Sequence, residues 1–400
     1  MTPTRRAFAV ALLAYAFAAI MVGTTLPTPL YALYSDRMHF SVLTTTVVYA
    51  TYAGGVLFAL LVFGRWSDAI GRRPVLMAGV VCALASAVVF LLADSVPQLL
   101  VGRLLSGLSA GLFTGTATAA VIEAAPLSWR TRAPAVATIA NIGGLGAGPV
   151  LAGILAQYAP SPLTLVFVVH IALVVLAAIA VALVPETSSR TGSIGLQRLS
   201  VPAEVRSVFV VAALAAFAGF SVTGLFTSVA PSLLTNVIGI GNHALAGLMA
   251  GSIFGASAIA QILGSRIPPR RAVAVGCAIL TAGMGVLAAA LHYSSLSGLI
   301  SAAVVSGIGQ GISFSRGLAA VAEQTPAQRR AEVSSTYFVV AYVAISIPVI
   351  GEGFAAQAWG LRTAGTVFAA AVGVLALACL AAILWQESRR GAKLPERVVG

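Results

Sequence analysis

Long apolar runs alternate with short polar pieces along the chain. Each run is about 20 residues or more, the length an α-helix needs to cross the hydrocarbon core of a bilayer. Twelve can be placed, at about residues 7–34, 42–63, 74–93, 98–121, 134–158, 163–184, 207–230, 244–263, 272–291, 299–322, 334–358 and 363–385, numbered helices 1 to 12 below. The pattern predicts an all-α integral membrane protein. The first run follows a charged start, Arg5 and Arg6, as a secretion signal does. It is too long for one and shows no small-residue cleavage site, so it reads as the first span. Pro27 and Pro29 near its end predict a bend or an unwound turn. The longest polar stretch, 185–206, holds Ser, Thr, Gly and three arginines at mid-chain. It reads as a flexible linker between an N-terminal half (1–184) and a C-terminal half (207–386), with a basic tail at 387–400.

Composition and charge sharpen this picture. The chain is 59% hydrophobic and only 8% charged, which excludes an ordinary water-soluble protein, and its net charge of +12 is carried mostly by the connections. With both ends and the even-to-odd connections placed inside, 19 of the 23 lysines and arginines fall on that side. Arg37 and Arg362 fall outside, and Arg103 and Arg316 lie within spans. This asymmetry predicts cytoplasmic termini in a cell (inner) membrane. No basic patch is interleaved with stacking aromatics, so nucleic acid is not expected as a partner. Cys82, Cys277 and Cys379 sit inside apolar runs and read as core residues. The four histidines are scattered, so no metal site is expected. No phosphate-binding loop or nucleophile elbow appears, which argues against an ATP-driven pump and against an enzyme.

The halves repeat one plan. Ser106, Gly107 and Gly111 in helix 4 recur as Ser306, Gly307 and Gly311 in helix 10, and Glu123, Pro126 and Arg130 recur as Glu323, Pro326 and Arg330. Gly64 and the pair Arg72-Arg73 recur as Gly264 and Arg270-Arg271, although the second loop is two residues shorter and has no acid to match Asp68. Such repeats are the architecture of transporters whose halves rock about a midplane site.

The loop 64–73 carries a specific pattern: a glycine, three variable residues, an acid, two variable residues, then a glycine and two basic residues. Here these are Gly64, Asp68, Gly71, Arg72 and Arg73. The stretch closely resembles the signature loop between helices 2 and 3 of the major facilitator superfamily. The resemblance implies two pseudo-symmetric six-helix bundles, with helices 1, 4, 7 and 10 lining a central cavity. It also implies that Asp68 locks one state by meeting the N-terminus of helix 11, near Ser334 and Ser335. Glu123, Arg130 and Glu323 join the signature residues as gating candidates.

Two further stretches narrow the resemblance. Arg103, followed by Gly107 and Gly111, resembles the basic helix 4 motif of proton antiporters in this superfamily. Gly144, Gly148, Pro149 and Gly153 in helix 5 resemble a motif of its drug–proton antiporters, implying a tight contact with the other half near the outer end. Ionisable groups in spans are costly and mark function. Asp36, at the outer end of helix 1, is expected to pair with Arg103 as a proton switch, with Glu352 in helix 11 as an alternative or additional proton site. Tyr15, Tyr31, Phe113, Phe217, Phe226, Gln310, Phe314 and Arg316 are the candidate cavity residues.

The reading that results is a monomeric secondary transporter in a lipid bilayer, without cofactor, exporting small amphipathic molecules in exchange for protons. One alternative is proton-coupled uptake or exchange of a small organic anion or metabolite, motivated by Arg316 and the scarcity of cavity acids. The other is a non-transporting membrane sensor or partner protein.

Overall fold

The computed structural model describes residues 3–391; its regular structure is all helical, joined by turns and by an extended linker at 185–202, and twelve of its helices are long and apolar enough to span a membrane. The calls on 392–400 lie outside the described residues. Helix 1 (Pro3–Thr25) stops where the prolines predict: a 3-10 turn, Thr28–Leu30, and a short helix, Tyr31–Met38, continue its direction. The remaining spans are helix 2 (Val42–Phe63), helix 3 (Arg72–Leu91), helix 4 (Val96–Ala124), helix 5 (Ala133–Tyr158) and helix 6 (Pro162–Leu183). The second half holds helix 7 (Arg206–Ser228), helix 8 (His243–Gly264), helix 9 (Pro269–His292), helix 10 (Leu296–Gln324), helix 11 (Arg330–Trp359) and helix 12 (Leu361–Gly391). Helix 12 therefore continues into the segment read as tail.

Local chemistry sets several ends. Ser41, Asn242 and Ser295 cap helices 2, 8 and 10, each accepting from a backbone amide three residues on. The signature loop contains its own helical turn, Trp66–Ile70.

The repeat is physical as well as textual. A side chain at Gly107 or Gly111 would collide with helix 2 at Tyr52 and Ala59, and one at Gly307 or Gly311 with helix 8 at Ile253 and Ser257. Helix 4 thus packs on helix 2 as helix 10 packs on helix 8, with bare backbones in contact.

The halves touch chiefly at the face opposite the arginine-rich loops. There Gly153 lies against His243 and Gly247 of helix 8, and Gly353 of helix 11 lies against Leu43 and Thr46 of helix 2. The Gln157 side chain accepts from the His243 amide at 2.9 Å, and Gln357 donates to Ser41 at 3.0 Å.

The linker departs from the expectation of flexibility. Gly192 donates to the Asp68 carbonyl at 3.0 Å and Gln197 to that of Leu61 at 2.8 Å. Arg65 donates to Ser193 at 2.8 Å, while Ser200 donates to Thr336 at 3.0 Å and accepts from Arg329 at 2.5 Å. The segment is sewn to the first half up to Gln197 and to the second from Ser200.

Candidate functional site

A central cavity of about 90 Å³ lies between the halves. Met21, Thr114, Phe220, Thr223, Gln310 and Phe314 line it from helices 1, 4, 7 and 10. Helices 2, 5, 8 and 11 contribute more groups, among them Tyr52, Asn141, Phe254, Ser257, Gln261, Phe338 and Tyr342. Phe220, Phe314 and Phe338 form an aromatic wall, with ring centroids 4.9 and 5.9 Å apart and edge-on geometry. Phe338 also lines a cleft of about 650 Å³ that opens at the arginine-rich face. That cleft runs between Leu60, Gly64 and Asp68 of one half and Gln328, Ser334 and Ser335 of the other. The molecule is closed on one side and open on the other.

Of the eight cavity candidates, Gln310 and Phe314 line the cavity and the others do not. Tyr15 donates to the Leu173 carbonyl of helix 6 at 3.1 Å. Phe113 is fully buried between Phe17 and Gly79 inside the first half, and Phe226 is fully buried in the core. Tyr31 is buried beside Arg103, its hydroxyl unpartnered among the described residues. Phe217 lies one turn before Phe220, which takes the cavity position, and Arg316 is half-buried away from it.

Arg103 is 1% exposed, and its position has a backbone cause. Helix 1 ends before Pro27, so the Thr24 carbonyl near its end is without a helical partner. Arg103 donates to that carbonyl at 2.6 Å and to the Tyr49 carbonyl at 3.5 Å. Its guanidinium lies over the Tyr52 ring, 4.7 Å from the centroid. The expected pair with Asp36 is absent: Asp36 is exposed on the short helix beyond the break, and no ion pair joins it to Arg103. Tyr49 instead carries the contact onward, its hydroxyl accepting from Thr227 of helix 7 at 2.6 Å. Arg103, helix 1, helix 2 and helix 7 thus form one chain across the closed side.

The helix 5 motif divides its work. Gly144 and Gly148 admit helix 1 of the same half, whereas Gly153 meets helix 8 of the other half, as does Gly146 between them. Pro149 removes the amide that the Leu145 carbonyl would bond, and Thr25 of helix 1 supplies a hydroxyl there at 2.7 Å. Helix 8 answers with Gly247 and Gly251, whose four-residue spacing is the signal that sequence reasoning passed over.

Glu352 is 3% exposed, and neither carboxylate oxygen has a hydrogen-bond partner among the described residues. It sits one residue before the Gly353 contact with helix 2, in the seal between the halves. An ionised carboxylate without a donor is costly in such surroundings.

At the open face, Arg72 gathers the signature acids. It meets Asp68 at 2.6 Å and Glu123 at 2.8 Å, and donates to Ser67 at 2.7 Å. Asp68 faces Ser334 and Ser335 across the cleft rather than touching helix 11, whose first residue is Arg330. Arg73 donates its amide to Glu186 at 3.2 Å. Arg130 and Glu323 are exposed and make no ion pair among the described residues.

A family model described as Major Facilitator Superfamily matches residues 9–348 and 256–398. The multidrug transporter MdfA of Edwardsiella ictaluri is 30% identical over 257 residues, 61% of each chain. The class E tetracycline resistance protein of Escherichia coli is 36% identical over 102 residues, 26% of this chain and 25% of that one. The chain thus spans from a quarter to about three-fifths of these relatives. Among solved structures, a bacterial homolog of the human lysosomal transporter Spinster, inward-facing and unoccupied, superposes with a TM-score of 0.76 at 16% identity, over 96% of this chain and 98% of that one. That likeness speaks to the fold.

Proposed function

We propose, from the premise that this chain belongs to the Major Facilitator Superfamily and is a multi-pass membrane transporter rather than an enzyme, that it exports small amphipathic molecules in exchange for protons. The observation that carries this reading is the central cavity. It is lined from both halves by aromatic and uncharged polar groups, sealed toward one face and open toward the arginine-rich one. Relatives named for multidrug transport and tetracycline resistance support the export direction. With the arginine-rich face and both termini in the cytoplasm, the open cleft is where a substrate enters from inside.

Glu352 is the proton-exchanging group in this proposal. It lies in the seal rather than in the cavity, so its proton state acts on opening and does not compete for the substrate. Gaining a proton from outside lets the acid sit in the closed seal without a partner. Losing it inward requires the halves to rearrange, and the Tyr49–Thr227 contact and Arg103 move with helix 2. Asp68 shifts the balance between states in this scheme. Asp68→Asn should leave substrate affinity within about twofold while changing the fraction of open clefts, read by cross-linking paired cysteines across the cleft.

The organic-anion alternative keeps one of its two motives: among the described residues no acid lines the cavity, but neither Arg103 nor Arg316 lines it either. Proton movement in acidified inside-out vesicles tests the proposal, with lipophilic drugs, sugars and organic anions added in turn. Proton release on drug addition, absent from empty vesicles, is expected. Response to organic anions alone would overturn the export reading.

A further inference from the structure

The central cavity has a donor arrangement that no relative's name specifies. Gln261 of helix 8 donates through Nε2 to the Ser257 hydroxyl at 3.2 Å, and Ser257 donates to Gln310 Oε1 of helix 10 at 2.6 Å. A hydroxyl has one proton to give, so this relay fixes which end of the Gln310 amide is held. Its oxygen is taken, and its Nε2 hydrogens remain for a guest. Gln310 itself is 5% exposed, with Gly219 packed on its stem, so it cannot swing away. From the other half, Asn141 lines the cavity, and its side chain makes no hydrogen bond among the described residues. The aromatic wall of Phe220, Phe314 and Phe338 completes the space.

Among the described residues, no Asp, Glu, Lys, Arg or His lines the cavity. Arg103 lies over the ring of Tyr52 but does not itself line the cavity, and neither does Arg316. An ionic guest would leave water without a counter-charge. The cleft outside does carry both signs, through Arg65, Arg198, Asp68 and Glu332. Charge is therefore met at the mouth and excluded from the centre.

We infer that the central cavity selects uncharged aromatic molecules bearing a hydrogen-bond acceptor, such as a carbonyl or amide oxygen, and rejects both permanent cations and carboxylates. This rests on the cavity being the substrate site, as proposed above. Gln310 and Asn141 are the specificity residues, Gln310 as obligatory donor and Asn141 as donor or acceptor. Ser257 and Gln261 are positioning residues that act through Gln310.

Equilibrium binding to the purified full chain in detergent tests this without any gradient. Three probes share one ring system: naphthamide, naphthoate and naphthyltrimethylammonium. The amide should bind at least about tenfold more tightly than either ion, roughly the cost of one unmet polar group. Gln310→Glu places a carboxylate on the same stem and should invert the order, so that the trimethylammonium probe binds best. Asn141→Asp makes the same change from the opposite wall and stands in if the first variant does not fold. An ion binding as well as the amide, or an unchanged order in both folded variants, overturns the inference. Amide binding without proton movement in vesicles would uphold it while removing the antiport reading.

Discussion

The two halves share a fold but meet the open face with different chemistry. In the first, one guanidinium, that of Arg72, joins Asp68, Ser67 and Glu123, while the Glu186 carboxylate accepts the Arg72 and Arg73 amides at 2.8 and 3.2 Å. Glu186 thereby caps helix 3 with an anion on its dipole. Gly71, at φ +112°, makes the approach possible, because a side chain there would run into that carboxylate. In the second half the loop is shorter, helix 9 starts on Pro268 and Pro269, and Arg330 bonds the Thr325 carbonyl at the end of helix 10. Glu323 pairs with nothing among the described residues. The first loop is a clamped corner and the second a plain turn. Rocking between two such halves need not break equivalent contacts, and the linker adds to the asymmetry by lying on the clamped corner.

Substitution at one glycine from each loop attacks this difference most strongly. Gly71→Ala forces a side chain into backbone space that glycine alone favours, a cost of about 1–3 kcal/mol before the Glu186 collision. A fall of several degrees in the thermal unfolding midpoint of the detergent-purified protein is expected. Gly264→Ala, which would meet Ile312 at an ordinary 3.4 Å, should leave the midpoint unchanged or slightly raised. Equal losses at both sites would mean the corners are alike.

The paired acids should differ less. Glu123→Gln breaks a half-exposed contact worth at most about 1 kcal/mol, so transport in vesicles should change by about fivefold or less. Glu323→Gln has no pair to lose and should change nothing. A larger effect at Glu323 would show that the second loop forms its contact in another state.

The smallest effect is in pH. Burial acts to raise the Glu186 pKa, but amides of Ser188, Arg72, Arg73 and Thr187 outweigh it and hold the carboxyl below its ordinary range. A carboxyl depressed on folding adds stability that is complete above its unfolded pKa of about 4.3 and fades as pH falls through the folded value. Thermal stability should therefore drop on acidification below about pH 4, and Glu186→Gln should lessen the acid-dependent part of that drop. An unchanged acid profile in the variant would remove Glu186 from the clamp.

How far these features were legible follows from the physics of spans. Helices, the signature loop and the repeat stood out because apolar length and glycine spacing survive in one dimension. Cavity residues did not, because lipid and core are equally apolar and no stripe marks the inner face. Phe217 and Phe220 differ by one turn, and nothing in the sequence separates them. Two signals were nonetheless present. Asn141, Gln261 and Gln310 are amides inside spans, and all three line the cavity. The 200-residue offset that relates helix 4 to helix 10 also pairs Thr114 with Phe314, Asn141 with Ala341 and Ile142 with Tyr342, and every one of these lines it. Asp36 misled because similar depth is not contact: beyond the break the acid sits on the exposed side of the short helix, while Arg103 is buried against the Thr24 and Tyr49 carbonyls.

The most direct test of the account compares two fluxes in proteoliposomes, wild type beside Glu352→Gln. One is exchange of labelled naphthamide at equal pH; the other is its accumulation against a gradient driven by protons. The variant is expected to keep exchange and lose accumulation, since its seal no longer reads the proton. Accumulation equal to wild type in Glu352→Gln would contradict it.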